Sequence, residues 1–131
     1  MATAADIMTS KVITTRPDTI IWDAALVLLD KRFGGMPVVE DGRLIGMVSG
    51  FDIISKNGKT IGEIMSRGVI CATPSDSIED VVQLMGLHGI RRVPICEGDR
   101  LIGIISRSDL LAYFTDRQEH GDEYWTSPQG A

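Results

Sequence analysis

A chain of 131 residues with 44% hydrophobic content is long enough to remove roughly two thirds of its unfolded surface from water as one domain, while its unbroken apolar runs are too short to span a bilayer. Its 18 acidic residues outnumber its 13 basic ones, for a net charge of −5. That balance argues against extended nucleic acid, whose phosphates are bound through an excess of positive charge.

Residues 1–6 have neither a basic start nor an apolar signal core, which predicts no export. Cys71 and Cys96 lack CxxC spacing and histidine partners, so they read as buried structural thiols of a cytoplasmic protein.

The chain repeats itself at one constant offset. Ile7-Met8 recurs as Ile64-Met65, Val12-Ile13 as Val69-Ile70, Pro17 as Pro74 and Pro37 as Pro94. Arg43-Leu44-Ile45-Gly46 recurs as Arg100-Leu101-Ile102-Gly103, Ser49 as Ser106 and Asp52 as Asp109. A duplicated unit predicts two paired clefts about a pseudo-twofold axis. One repeat alone is marginal in size, so the copies are expected to share an apolar surface.

In chain order, residues 11–15 and 68–72 read as short strands. A helix follows, because Ile21, Ala24, Ala25 and Leu28, and then Ile78, Val81, Val82 and Met85, recur at i, i+3, i+4, i+7. Thr19 is the expected N-cap of the first helix, and Asp76 with Glu79 the capping box of the second. Gly34-Gly35 is expected to end the first helix, and Gly86 and Gly89 to weaken the end of the second.

Two apolar runs around Asp41-Gly42, and two around Gly98-Asp99, predict hairpins. Pro37 and Pro94 belong near the start of an edge strand, since they cannot donate to a ladder. Short closing helices are expected over 52–55 and 109–114. Each unit is thus β-α-β-β-α, in a mixed α/β (α+β) chain with tandem units at 1–57 and 58–115. Residues 116–131 read as a polar, mobile tail. In it, Tyr124-Trp125 could dock on a partner chain or belong to a loosely ordered terminus.

Gly46-Met47-Val48-Ser49-Gly50-Phe51-Asp52 and its twin, residues 103–109, run from a strand into a helix. There, unpaired N–H groups and the helix dipole favour an anion. Ser49 and Ser106 can cap the helix or meet a phosphate. Asp52 and Asp109 can complete a capping box or accept two hydrogen bonds from a ribose diol. Arg91-Arg92 is either a solvated pair or a phosphate contact. His88, near a helix end, could offset the helix dipole, lie beside a phosphate, or be a partly exposed structural residue.

The chain resembles the CBS domain pair, or Bateman module, over about residues 5–115. The resemblance is carried by Asp6-Ile7-Met8 and Glu63-Ile64-Met65, the Pro37-Val38-Val39 and Pro94-Ile95 segments, and the two Gly-x-x-Ser-x-x-Asp stretches. It implies a sensor of adenosine-containing ligands bound in clefts between the motifs. Asp52 and Asp109 would be ribose acceptors, with Ser49 and Ser106 beside the phosphates. Val12, Ile13 and Thr14 would line one adenine pocket, and Val69, Ile70 and Cys71 the other. Arg91, Arg92 and Arg107 would hold phosphate in the second repeat, whereas the first has Gly34 and Gly35 in the equivalent of the arginine pair. The Asp109 cleft is therefore the expected stronger site.

Catalysis finds no motif: there is no GxxxxGK[ST], HExxH or GxSxG, and Gly86-Leu87-His88-Gly89 is a chance match to an RNA-binding GxxG loop. The expectation is a non-catalytic regulatory module for AMP, ADP or ATP that needs no cofactor or resident metal, with Mg²⁺ accompanying a triphosphate. The resemblance also implies a homodimer, with an unidentified effector protein as a further candidate partner, and the short apolar runs predict no membrane insertion. Alternatives are an interaction module with empty clefts, or a sensor of S-adenosylmethionine or NAD. Arginines favour phosphate over a sulfonium, because like charges repel.

Overall fold

The computed structural model describes residues 2–119. The chain order is α1 (Ala4–Ile7), α2 (Ile21–Lys31), β1 (Gly35–Glu40), β2 (Arg43–Ser49), α3 (Gly50–Ser55), α4 (Ile61–Ile64), α5 (Ile78–His88), β3 (Arg92–Glu97), β4 (Arg100–Ser106) and α6 (Arg107–Glu119).

These elements form two compact units that cut across the sequence repeats. One contains residues 2–12, Ile70–Glu97 and 102–119; the other contains Ile13–Val69 and Gly98–Leu101. The leading helix α1 thus belongs with the second repeat's body, and α4 with the first's.

Chemistry explains the exchange. In the unit that contains α1, the N–H groups of Ala4 and Ala5 donate to the carbonyls of Asp76 (2.8 Å) and Pro74 (3.0 Å). In the other, Ile61 and Gly62 donate to Thr19 (2.9 Å) and Pro17 (2.8 Å). Helix-start donors have no partner within their own helix, and the proline turns supply one. Thr3 with Asp6, and Thr60 with Glu63, close the same starts as capping boxes. Behind these caps, Ala4 joins a core of Ala72, Val81, Val93, Ile95 and Ile105. Ile61, Ile64 and Met65 complete the other core, with Ala24, Leu28, Met36, Val38 and Val48.

The hairpin β1–β2 is antiparallel, with Pro37 opposite Met47 and Gly35 opposite Ser49. Asp41 and Gly42 both have positive φ (53° and 79°), the pattern of a type I′ turn. In the turn of the second hairpin Gly98 does, at 62°, and Asp99 does not, as in type II′. Pro37 and Pro94 are the third residues of their strands, near the start as expected.

Several local expectations are corrected. The strands predicted over 11–15 and 68–72 shrink to single parallel bridges, Thr15 to Val38 and Ala72 to Ile95. Pro17 and Pro74 follow two residues later and cannot donate to an extended ladder. Thr19 does not cap α2. Its Oγ1 accepts from the Arg16 N–H (3.3 Å), as the Asp76 carboxylate accepts from Thr73 (2.9 Å), so both residues are committed to the proline turn.

The N-cap of α5 is instead Ser77, whose Oγ accepts from the Asp80 N–H (3.1 Å). Helix α2 ends before Gly34-Gly35, at Arg32 in the left-handed region (φ 58°). Gly89, its equivalent, adopts the same conformation after α5. Cys96 is buried but Cys71 is exposed. The closing helices are longer than expected: α3 starts at Gly50, and α6 runs from Arg107 to Glu119, beyond the expected start of the tail. Tyr124-Trp125 lies outside the described residues.

Candidate functional site

Strands β2 and β4 each end on a serine that turns the chain into a helix. Ser49 has extended backbone (φ −109°, ψ 163°), and its Oγ accepts from the Asp52 N–H at 3.0 Å. Asp52 Oδ2 returns the contact by accepting from the Ser49 N–H at 2.9 Å. In the twin turn, Asp109 Oδ2 accepts from the Ser106 N–H (2.8 Å) and Ser106 Oγ (3.1 Å), and the Asp109 N–H donates to that hydroxyl (3.2 Å). The capping box is thus built in both repeats, and each serine hydroxyl is already engaged in it.

The two carboxylates differ in their second oxygen. Asp52 Oδ1 lies 3.0 Å from the Lys56 ammonium, and the Asp52 side chain is only 12% exposed. Lys56 Nζ also donates to the Ile64 carbonyl (3.1 Å), which fastens α3 to the end of α4. Burial raises the Asp52 pKa. The Ser49 N–H, the Lys56 ammonium and the Ser49 hydroxyl together outweigh that effect and hold the carboxyl below its ordinary value. Asp109 Oδ1 has no hydrogen-bond or ion-pair partner among the described residues, and Asp109 is half-buried.

The residue before each hairpin meets the following helix start. The Gly50 N–H donates to the Gly34 carbonyl, and the Arg107 N–H to the Arg91 carbonyl, both at 2.9 Å. Arg91 and Arg107 are thereby brought together next to Ser106, a place where the first repeat has only glycines. Arg91 and Arg107 are exposed, while Arg92 is half-buried. Burial, and then the charge of Arg91, pull Arg92 below the ordinary guanidinium range. No carboxylate among the described residues pairs with these three arginines.

The candidate adenine residues are divided between the two units along the chain: Val12 belongs to one and Ile13 and Thr14 to the other, and Val69 is likewise separated from Ile70 and Cys71. Thus Ile13 and Thr14 share a unit with Asp52, and Ile70 and Cys71 share one with Asp109. Val12, Val69 and Ile70 are half-buried; Ile13, Thr14 and Cys71 are exposed.

A separate groove on α5, lined by Asp76, Asp80, Gln83, Leu84, Gly86 and Leu87, contains none of these residues. His88 ends α5 in an exposed position. Among the described residues, no group of three His, Cys, Asp or Glu side chains could hold a metal, and no helix is long and apolar enough to cross a membrane.

Sequence reasoning missed Lys56. The available signal was its spacing, four residues after Asp52, which suits an acid–base pair on one helical face.

This duplicated architecture, with a capped aspartate at each strand-to-helix turn, is that of a tandem regulatory module. The family profile of the CBS domain matches twice, at residues 4–58 and 61–116, and the chain belongs to the CBS domain family. It is 38% identical over 117 residues to the CBS domain-containing protein YhcV of Bacillus subtilis, covering 84% of each chain. Two longer relatives from Methanocaldococcus jannaschii are matched over only 40% and 42% of their lengths.

Among solved structures, the chain is similar to CBSX2 in complex with AMP, with a TM-score of 0.86 and 26% identity, covering 90% of this chain and 99% of that one. It is also similar to the CBS domain pair of protein MJ0100 in complex with 5′-methylthioadenosine and S-adenosyl-L-methionine. There the TM-score is 0.80 and the identity 30%, covering 88% and 98% of the two chains.

Proposed function

We propose that this protein is a non-catalytic sensor of an adenosine-containing ligand, with an adenine nucleotide as the best match. The observation that carries this reading is the open Oδ1 of Asp109, in the turn where the Arg107 N–H meets the Arg91 carbonyl, with no carboxylate among the described residues paired to Arg91, Arg92 or Arg107. A ribose diol would donate to Asp109, and phosphate would be met by Arg91, Arg92 and Arg107 with Ser106 alongside. Ile70 and Cys71 would face the base. Asp52, Ser49, Val12, Ile13 and Thr14 occupy the corresponding positions of the first repeat.

The similar structures that hold AMP, or methylthioadenosine and S-adenosylmethionine, support adenosine as the common chemistry. Repulsion within the arginine group favours the phosphate-bearing members, because an anion would relieve it. Mg²⁺ would accompany a triphosphate.

Hydrogen bonds to a charged partner contribute about 1.5–3 kcal/mol each, so a diol held twice by Asp109 gains about 3–6 kcal/mol gross. Loss of that clamp should weaken binding about a hundredfold or more. Calorimetric titration of wild type and Asp109→Ala with AMP, ADP, ATP, NAD and S-adenosylmethionine tests the reading. No heat and no thermal shift with any ligand would leave Asp109 as a helix cap alone.

The protein is further proposed to be a homodimer. Helix α2 presents Trp22, Leu26 and Leu29 on one face, with Phe33 just beyond its end, and all four are exposed. Apolar stripes of this kind mark interaction surfaces. Cys71 and Cys96 are not joined in a disulfide, which fits a reducing compartment such as the cytoplasm. Ligand binding would change the relative stability of two states read by an effector protein.

A further inference from the structure

The geometry points to Lys56 as the residue that makes the two repeats unequal: it competes for the one oxygen of Asp52 that the capping box leaves open, so that the chain takes one adenosine ligand, at Asp109, and uses its first repeat as a structural copy. This rests on the adenosine reading above and assigns its stoichiometry.

Both oxygens of Asp52 are engaged, Oδ2 by the Ser49 N–H and Oδ1 by Lys56. The lysine is held in turn by the Ile64 carbonyl, itself part of a buried core residue. A ribose diol at Asp52 would have to compete with an ammonium that lies 3.0 Å from the carboxylate and is held there by the Ile64 carbonyl. At Asp109, both bonds from Ser106 fall on Oδ2, and Oδ1 remains available to a diol.

The residue equivalent to Lys56 in the second repeat is Tyr113, which brings no charge to the carboxylate. Gly34-Gly35 in place of Arg91-Arg92 removes the phosphate contacts from the same repeat that Lys56 closes. Two independent differences therefore disable one site and leave the other intact.

The test is calorimetry with AMP on the full chain, with circular dichroism to establish that each variant is folded. Wild type should bind one AMP per chain, Asp52→Asn should retain that affinity, and Asp109→Asn should lose it. Transplanting the lysine supplies a second arm. Tyr113→Lys places a cation four residues after Asp109, at helical pairing distance, and should weaken AMP binding at least about tenfold, whereas Tyr113→Gln should bind within about twofold of wild type.

Two AMP per chain, a loss of affinity in Asp52→Asn, or equal affinities of the Lys and Gln variants would overturn the assignment while the sensor reading stands. Absence of binding by wild type to AMP, ADP, ATP, NAD and S-adenosylmethionine alike would overturn both.

Discussion

Met65 lies so closely over Gly46 that a Cβ on the glycine would stand 2.7 Å from the methionine sulfur and 2.9 Å from the Ser66 carbonyl oxygen. Met8 covers Gly103 in the same manner in the other unit. The thioether could swing aside, but the Ser66 carbonyl could not. Ser66 and Met47 exchange two backbone hydrogen bonds, at 2.9 and 2.8 Å, which pin the segment against β2. Gly46→Ala should therefore destabilise the protein by about 1–3 kcal/mol, the usual cost of overpacking. Chemical denaturation measures it, and an unchanged midpoint would mean that the Met65–Ser66 segment yields.

Acid should expose the role of the Asp52 network. The folded carboxyl titrates below the ordinary 3.8, so ionised Asp52 contributes stability that is present above the unfolded pKa and is lost as pH falls through the folded one. Compared with Asp52→Asn, wild type should hold a constant stability advantage from about pH 7 to pH 5, which closes below about pH 4. Urea unfolding across that range reads the gap. A gap that persists under strong acid would assign the effect to shape rather than charge.

The outer face of α2 makes a separate prediction. Trp22 and Leu29 are 70% and 76% exposed. If this stripe joins two chains, Leu29→Glu places two carboxylates in an apolar contact, where an unpaired charge is costly. Sedimentation should then find a dimer for wild type and a monomer for the variant, with little change in the unfolding midpoint at low protein concentration. A wild-type monomer would remove the proposed interface.

What could be read in the sequence, and what could not, divides along the reach of each interaction. Helices α2 and α5 and both hairpins were legible, because apolar period and turn chemistry act over a few residues. So were the capped turns at Ser49–Asp52 and Ser106–Asp109. The roles of Ile7-Met8 and Ile64-Met65 were not, because their partners lie in the other repeat: Met8 on Gly103, and Met65 on Gly46. Thr19 and Asp76 looked like helix caps, since nothing local distinguishes a cap from a side chain committed to a proline turn. Lys56 was hidden for a related reason. The four-residue spacing to Asp52 was visible, but the Ile64 carbonyl that fixes the lysine belongs to a helix the sequence pattern did not predict.

The arginine group allows the phosphate contribution to be separated from the ribose contribution. Arg91 is fixed through its carbonyl to the start of α6, and burial and then the charge of Arg91 hold Arg92 below the ordinary guanidinium range. An anion near both would gain charge-assisted hydrogen bonds of about 1.5–3 kcal/mol each; adenosine, without a phosphate, would gain none. Arg91→Ala should thus weaken AMP binding by about tenfold to a hundredfold and leave adenosine binding unchanged, whereas Asp109→Asn should weaken both ligands. Raising the salt concentration should narrow the AMP-to-adenosine difference in wild type, since partly exposed charges are screened. Parallel titrations of the two ligands, at low and high salt, read all three effects. Equal losses for AMP and adenosine in Arg91→Ala would mean that the arginine shapes the pocket instead of meeting the phosphate.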